Sequence, residues 1–216
     1  MDNNVLTENA YNFILSEILT GHIKPGERIR EDLIAEKLGI SRTPVREATN
    51  QLCQNGFINY VKRKGLYCIK IDKEELENLL ELRQVLEEFS YITCASKAAP
   101  EDIEALRKEI SFFRALSEAE QAEKHASLDI HFHVHAAEIT GSRQLVKYIQ
   151  EVETLLLIVR KNLNEAYNQK EVIALSWDLH ERLVDAIEKK DMDQIRHLNA
   201  EHIQLMRKTQ LNPNYT

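Results

Sequence analysis

Glycine and proline are unevenly spread along this chain of 216 residues, and the unevenness divides it in two. Before residue 72 the punctuation is dense: Gly21, Pro25-Gly26, Gly39, Pro44, Gly56 and Gly65. Beyond it, only Pro100 and Gly141 interrupt the chain ahead of the tail. Long stretches without breakers, with apolar residues recurring at helical spacing, fold as helices that bury one stripe against one another. The expected fold is therefore mostly α, with short mixed elements over 1–72 and an all-helical antiparallel bundle over 73–216.

Charge follows the same division. The chain carries a net −7, but residues 1–72 hold ten Lys/Arg against nine Asp/Glu, leaving the acidic excess to the remainder. A nearly neutral first part in an acidic molecule leaves room for a local basic surface there. No apolar run approaches the ~18 residues that span a bilayer. The opening MDNNVLTENAYN lacks a basic segment followed by an apolar one, so no secretory signal is expected. Cys53, Cys68 and Cys94 form no C-x-x-C pair and read as free thiols in a reducing cytoplasm.

Within the first part, Tyr11, Ile14, Leu15 and Ile18 predict an amphipathic helix ending near Gly21. Lys24-Pro25-Gly26-Glu27 predicts a turn, and Glu31–Leu38 a short helix stopped by Gly39. A third helix runs through SRTPVREATNQLCQNG, with Ser41 or Thr43 as cap and Pro44 tolerated in its first turn. The β-branched and aromatic residues of FINYVKRKGLYCIKI predict a two-stranded hairpin with Lys62-Arg63-Lys64-Gly65 at its tip. Three helices followed by a basic hairpin is the order of a winged helix-turn-helix. Val45, Ala48, Leu52 and Cys53 share one face of the third helix, while Thr43, Arg46 and Asn50 lie opposite, with Arg42 just ahead. Arg can bridge two acceptors on guanine and Asn can bridge adenine, which suits the major groove of double-stranded DNA. Lys62, Arg63 and Lys64 would meet phosphate or the minor groove. Taken singly, each of these charges reads more simply as a solvated one; their ordered combination favours DNA.

The stretch GHIKPGERIREDLIAEKLGISRTPVREATNQLCQNGFINYVKRKGLYC resembles the DNA-binding domain of GntR-family bacterial transcription regulators over about residues 5–71. The resemblance implies that Arg42, Thr43, Arg46 and the wing residues near Gly65 touch DNA. The family's arginine early in the second helix falls on Asp32 here, leaving Arg30 as its substitute.

In the second part, SLDIHFHVHAAEITG places one aspartate and three histidines within seven positions. At about 100° per residue, Asp129 and His133 lie together on the apolar side, whereas His131 and His135 face the reverse, solvated side. His180 sits amid Ile173, Leu183, Val184 and Ile187, and His202 amid Ile195, Leu198, Leu205 and Met206. A lone histidine on such a stripe is usually a hydrogen-bonded core residue. Three of them with a carboxylate are better satisfied together by a divalent cation, because each unsatisfied buried polar group costs on the order of 1–3 kcal/mol. Neutral imidazole with carboxylate suits Zn, Mn, Ni or Fe.

LLELRQVLEE, SLDIHFHVHAAEITG, DLHERLVDAIEKKDMDQ and AEHIQLM resemble the all-helical effector domain of the FadR-type (FCD) branch of GntR regulators, over about residues 74–209. With about six helices the domain is nearer the VanR-like variant. The family's D-x-x-x-H motif and two later histidines fall on Asp129, His133, His180 and His202. Its R-x-x-x-E motif falls on Arg83 and Glu87, which four residues apart read first as a surface ion pair. Arg83 or Arg160 reaching a ligand carboxylate is the alternative. Tyr148, Tyr167 and Trp177 would line a cavity or, more plainly, join the core. The family's Gly-Asn after the metal helix is Gly141-Ser142 here, and serine still suits a helix cap.

The leading expectation is a metabolite-responsive regulator that binds a palindromic operator as a homodimer and senses a small carboxylate at the metal. Two alternatives are a metal-dependent hydrolase-like enzyme and a DNA-binding protein whose metal is purely structural. The enzyme reading finds no Gly-rich phosphate loop, G-x-S-x-G elbow or Cys/His pair, and Glu138 and Glu181 face away from the ligand stripes.

Overall fold

The computed structural model describes residues 3–163 and 170–210, with the side chains of 160–163 and 210 outside the description. The chain folds as two compact units, Met1–Asp72 and Lys73–Thr216.

The first unit orders α1 (Asn3–Leu19), β1 (Arg28–Ile29), α2 (Glu31–Leu38), α3 (Arg42–Gln54), β2 (Ile58–Val61) and β3 (Gly65–Cys68). Helix α1 begins well before the apolar repeat that signals it. Thr7, Ala10, Ile14 and Ile18 are its buried face, and Asn3 and Thr7 donate to Glu47 of α3 at 3.0 and 2.8 Å. Gly39 ends α2 in the left-handed region at φ +65°, returning its N–H to the Ala35 and Glu36 carbonyls, the usual reason for glycine there. Helix α3 follows Ser41 and buries Pro44, Val45, Ala48, Thr49 and Leu52. The Thr49 hydroxyl donates to Glu31 at 2.7 Å, tying α2 to α3.

The wing has three strands, not two, in the order β1-β3-β2 and antiparallel throughout. Arg28 pairs with Tyr67 and Ile29 with Leu66. A two-residue strand is too short for alternation to announce it. It forms because the turn before it lets the Gly26 N–H reach Cys68 at 3.0 Å, while the Cys68 N–H returns to Glu27 at 2.9 Å.

The second unit comprises α4 (Lys73–Lys97), α5 (Pro100–Arg114), α6 (Glu118–Ile139), α7 (Arg143–Leu163), α8 (Lys170–Lys189) and α9 (Met192–Gln210). Pro100 opens α5, and a Ser117/Glu120 capping box opens α6. Ser142 caps α7 by accepting the Leu145 N–H at 3.3 Å. The core joins all but α7, with Tyr91, Leu106, Phe113, Phe132, Trp177 and Leu183 among its members. Phe113 and Trp177 stack with ring centroids 4.0 Å apart, so Trp177 is core. Helix α4 packs against α6, α7, α8 and α9, so a stripe of its residues is enclosed. That stripe includes Arg83, Glu87 and Ser90, and the polar groups must find partners inside. No helix among the described residues is long and apolar enough to cross a membrane.

Candidate metal centre and nucleic-acid interface

The structure brings Asp129 and His133 of α6, His180 of α8 and His202 of α9 together, each offering one donor atom within 4.8 Å of the others. All four are buried. The Nε2 atoms of His133, His180 and His202 lie 3.5, 3.4 and 3.8 Å from Asp129 Oδ1. The three ring centroids form a near-equilateral triangle with sides of 4.9, 5.1 and 4.9 Å. Among the described residues, neither ring nitrogen of His180 makes a hydrogen bond. Burial, and then the neighbouring imidazoles and Arg83, hold His180 and His202 well below the usual histidine range, so both present neutral rings. Ser176 lies between, with its hydroxyl 3.1 Å from His202 Nε2 and 3.4 Å from Asp129 Oδ1.

Arg83 and Glu87 are not a surface pair: both are essentially inaccessible, because α4 turns this stripe inward. Arg83 Nε lies 2.7 Å from Glu87 Oε1 and 2.6 Å from Glu153 Oε1 of α7. A second set of possible ligands, Glu87, His133 and Glu153, surrounds this guanidinium, which is itself the cation there. Arg83 Nη2 also lies 2.8 Å from His133 Nε2. Guanidinium can only donate, so Nε2 is the acceptor and the His133 proton sits on Nδ1. Nδ1 in turn faces Tyr91 Oη at 2.5 Å and Glu87 Oε1 at 3.0 Å. In this tautomer Nδ1 has the outer hydrogen-bond partners that metal-binding histidines ordinarily have, while the Nε2 lone pair is held by Arg83 and becomes available to an ion only when that guanidinium moves aside. Asp129, Glu87 and Glu153 lie with Arg83 in a closed interior, where a divalent cation would be strongly attracted. The donor set fits such an ion.

Other candidates fall elsewhere. His131 and His135 are outside the cluster, but not simply solvated: both bond to Glu109 of α5, His131 at 3.1 Å. Tyr148 is 49% exposed on α7 and lines no interior site. The Arg160 side chain and all of Tyr167 lie outside the described residues. Sequence reasoning missed Tyr91, Glu153, Ser176 and the buried His125, whose Nδ1 accepts from Trp177 Nε1 at 3.1 Å. Helical spacing could have found two of them: His125-Asp129-His133 and Arg83-Glu87-Tyr91 are both i, i+4, i+8 series.

In the first unit, Arg42, Thr43, Arg46 and Asn50 project from the exposed side of α3. Arg42, Arg46 and Asn50 share a groove of about 310 Å³ with Arg28, Arg30 and Gly65 of the wing side. Lys62, Arg63 and Lys64 are exposed in the turn between β2 and β3. There Arg63 is left-handed at φ +65° and the Lys64 N–H closes onto Val61 at 2.9 Å. Arg30 is not free: its Nε and Nη2 donate to Asp32 at 3.2 and 2.8 Å.

Comparison with known proteins agrees with both units. Residues 6–68 match the bacterial regulatory proteins of the gntR family, and residues 78–205 match the FCD domain. The Nta operon transcriptional regulator of Aminobacter aminovorans is 31% identical over 143 residues, covering 64% of this chain and 66% of that protein. The transcriptional repressor RspR of Escherichia coli is 24% identical over 199 residues, covering 92% of this chain and 86% of that one. Among solved structures, E. coli McbR/YncC superposes with a TM-score of 0.79 at 23% identity, over 94% of this chain and 98% of that one. The chain therefore belongs to the GntR family of bacterial transcription regulators, in the branch that carries an FCD domain.

Proposed function

We propose that this regulator binds a palindromic operator as a cytoplasmic homodimer and holds a divalent cation at Asp129, His133, His180 and His202, where a small carboxylate acts as effector. The observation that carries the metal reading is the convergence of three histidine Nε2 atoms on one buried aspartate oxygen, with His180 left without a hydrogen bond on either nitrogen. A bound ion would supply a Lewis-acidic position for a carboxylate oxygen. Arg83 would hold the other end of such an anion, since its Nη1 is buried without a hydrogen-bond partner. Arg42, Thr43, Arg46 and Asn50 would read base edges, with Lys62, Arg63, Lys64 and Gly65 on the backbone. The homodimer finds support in Leu82, Val85 and Phe89 of α4, which are 47%, 67% and 60% exposed and follow helical spacing on one outer face. A two-fold dimer matches a palindromic site.

The test is metal analysis of purified protein together with operator binding. About one divalent ion per chain is expected in wild type, lost in His180→Ala and His202→Ala but kept in His131→Ala and His135→Ala. Equal loss in all four would show that the ion sits elsewhere. Titrating small carboxylates into metal-loaded and chelated protein then separates a sensory ion from a structural one, because only the former couples acid binding to DNA affinity.

A further inference from the structure

Two arginines two residues apart, Arg28 on β1 and Arg30 at the cap of α2, are held differently. Arg30 is gripped through Nε and Nη2 by both oxygens of Asp32. The hydrogen bond from Arg30 also keeps the Asp32 carboxyl down at about 2, so protonation does not release the pair at any pH where DNA is bound. A solvated ion pair of this kind is weak and could open. Opening it would not help a phosphate, because the Asp32 charge would remain beside the one that Arg30 brings.

Arg28 has no such partner. It stands on β1 opposite Tyr67, with an exposed side chain that no described acid engages. Its guanidinium lies over Gly65 of β3, where an added Cβ would meet Nε at 3.5 Å and Nη2 at 3.6 Å. Gly65 is at φ +108°, a conformation that side-chain-bearing residues rarely adopt, so it is the backbone that favours glycine beneath Arg28, a Cβ there being at ordinary contact distance from the guanidinium. The groove that Arg28 lines is the one shared by Arg42, Arg46 and Asn50.

We infer that Arg28, and not Arg30, supplies the phosphate contact between the recognition helix and the wing, while Asp32 cancels Arg30 within the protein. The inference rests on α3 and the wing docking on DNA. Its ligand is the backbone of double-stranded DNA, which carries no sequence requirement.

A labelled random-sequence duplex of about 30 bp is therefore a sufficient probe, read by fluorescence anisotropy from about 50 to about 200 mM KCl. Arg28→Ala should weaken binding and reduce the salt slope by about one, so that the affinity lost across this range shrinks about three-fold. The double variant Arg30→Ala/Asp32→Asn should stay within about two-fold of wild type, since the pair it removes carries no net charge. Asp32→Asn should bind more tightly and steepen the salt slope, and adding Arg30→Ala should abolish that gain. Thermal melts of each variant check folding. If Arg46→Ala and Lys64→Ala weaken binding but Arg28→Ala does not, the Arg28 assignment is overturned and the docking surface stands. If none of these three changes anything, the docking surface lies elsewhere and Arg28 falls with it. A loss in the Arg30→Ala/Asp32→Asn double variant equal to that of Arg28→Ala would also overturn it.

Discussion

The wing pair Arg30–Asp32, where β1 of the wing runs into α2, and Arg83–Glu87 in the helical unit are the same chemistry in two dielectrics. Both are arginines held by a carboxylate on nearly the same stretch of chain, at 2.8 and 2.7 Å. The wing pair has side chains 54% and 38% exposed; the buried pair is at 1% on both sides. In water such a pair contributes about 0–1 kcal/mol, and the two groups can part at little cost. In the interior each partner is indispensable to the other, because losing one leaves an uncompensated buried charge. Contact distance alone therefore says nothing about importance. The wing pair shapes the field that DNA meets, and the buried pair decides whether a bundle of helices can close.

Four substitutions would sharpen or break this contrast. The largest effect is expected for Arg83→Met, which keeps the bulk but strands Glu87 and Glu153; about 3–5 kcal/mol of stability should go. That corresponds to a fall in Tm of roughly 10 °C or more in a thermal melt of metal-free protein. Arg30→Ala should leave the melt unchanged. A mild Arg83→Met phenotype would mean that water or relaxed helices satisfy the carboxylates, and the closed-interior picture would be wrong. Next, Arg46→Ala should cost about 1–3 kcal/mol of specific operator affinity without moving Tm. An unchanged operator affinity would remove α3 as the reading element.

The smallest effect belongs to the half-buried Glu109, intermediate between the two extremes. Burial by itself would raise its carboxyl, but hydrogen bonds to His135 and His131 outweigh that and hold it below its ordinary value. A depressed carboxyl stabilises the fold above its unfolded value near 4.5 and loses that contribution as pH falls through the folded one. Urea unfolding should therefore separate wild type from Glu109→Gln by under about 1 kcal/mol near pH 6, and the gap should close below about pH 4. A gap that widens on acidification would contradict the assigned direction.

The wing and the cluster also differ in how openly the chain announces them. Helix α3 is legible because Gly39, Ser41, Pro44 and Gly56 bracket it and its two faces differ sharply in composition. Asp129, His133, His180 and His202 stand out because each interrupts an apolar stripe. Glu153 interrupts a stripe in the same way, among Ile149, Val152 and Leu156, and was readable on the same grounds. Arg83–Glu87 misled because i, i+4 opposite charges are the commonest decoration of a solvated helix. Only the number of helices packed around α4 reveals that this stripe faces inward. The strand at Arg28–Ile29 is settled by partners some forty residues away on β3, which no local window contains.

Helix α4 runs 25 residues, about 37 Å at the usual rise, and is a single stiff rod. Leu82 and Arg83 are consecutive on it, the first on the outer apolar ridge and the second among buried carboxylates. Twisting the rod by about 20° about its own axis would sweep side-chain tips roughly 5 Å from that axis through about 2 Å. That is enough to pull Arg83 off Glu153 and His133 while swinging the ridge of Leu82, Val85 and Phe89 by the same angle. The helix thus has the mechanics of a camshaft: whatever settles the position of the guanidinium inside also sets the angle of the lobe outside, with no intervening joint to absorb the motion.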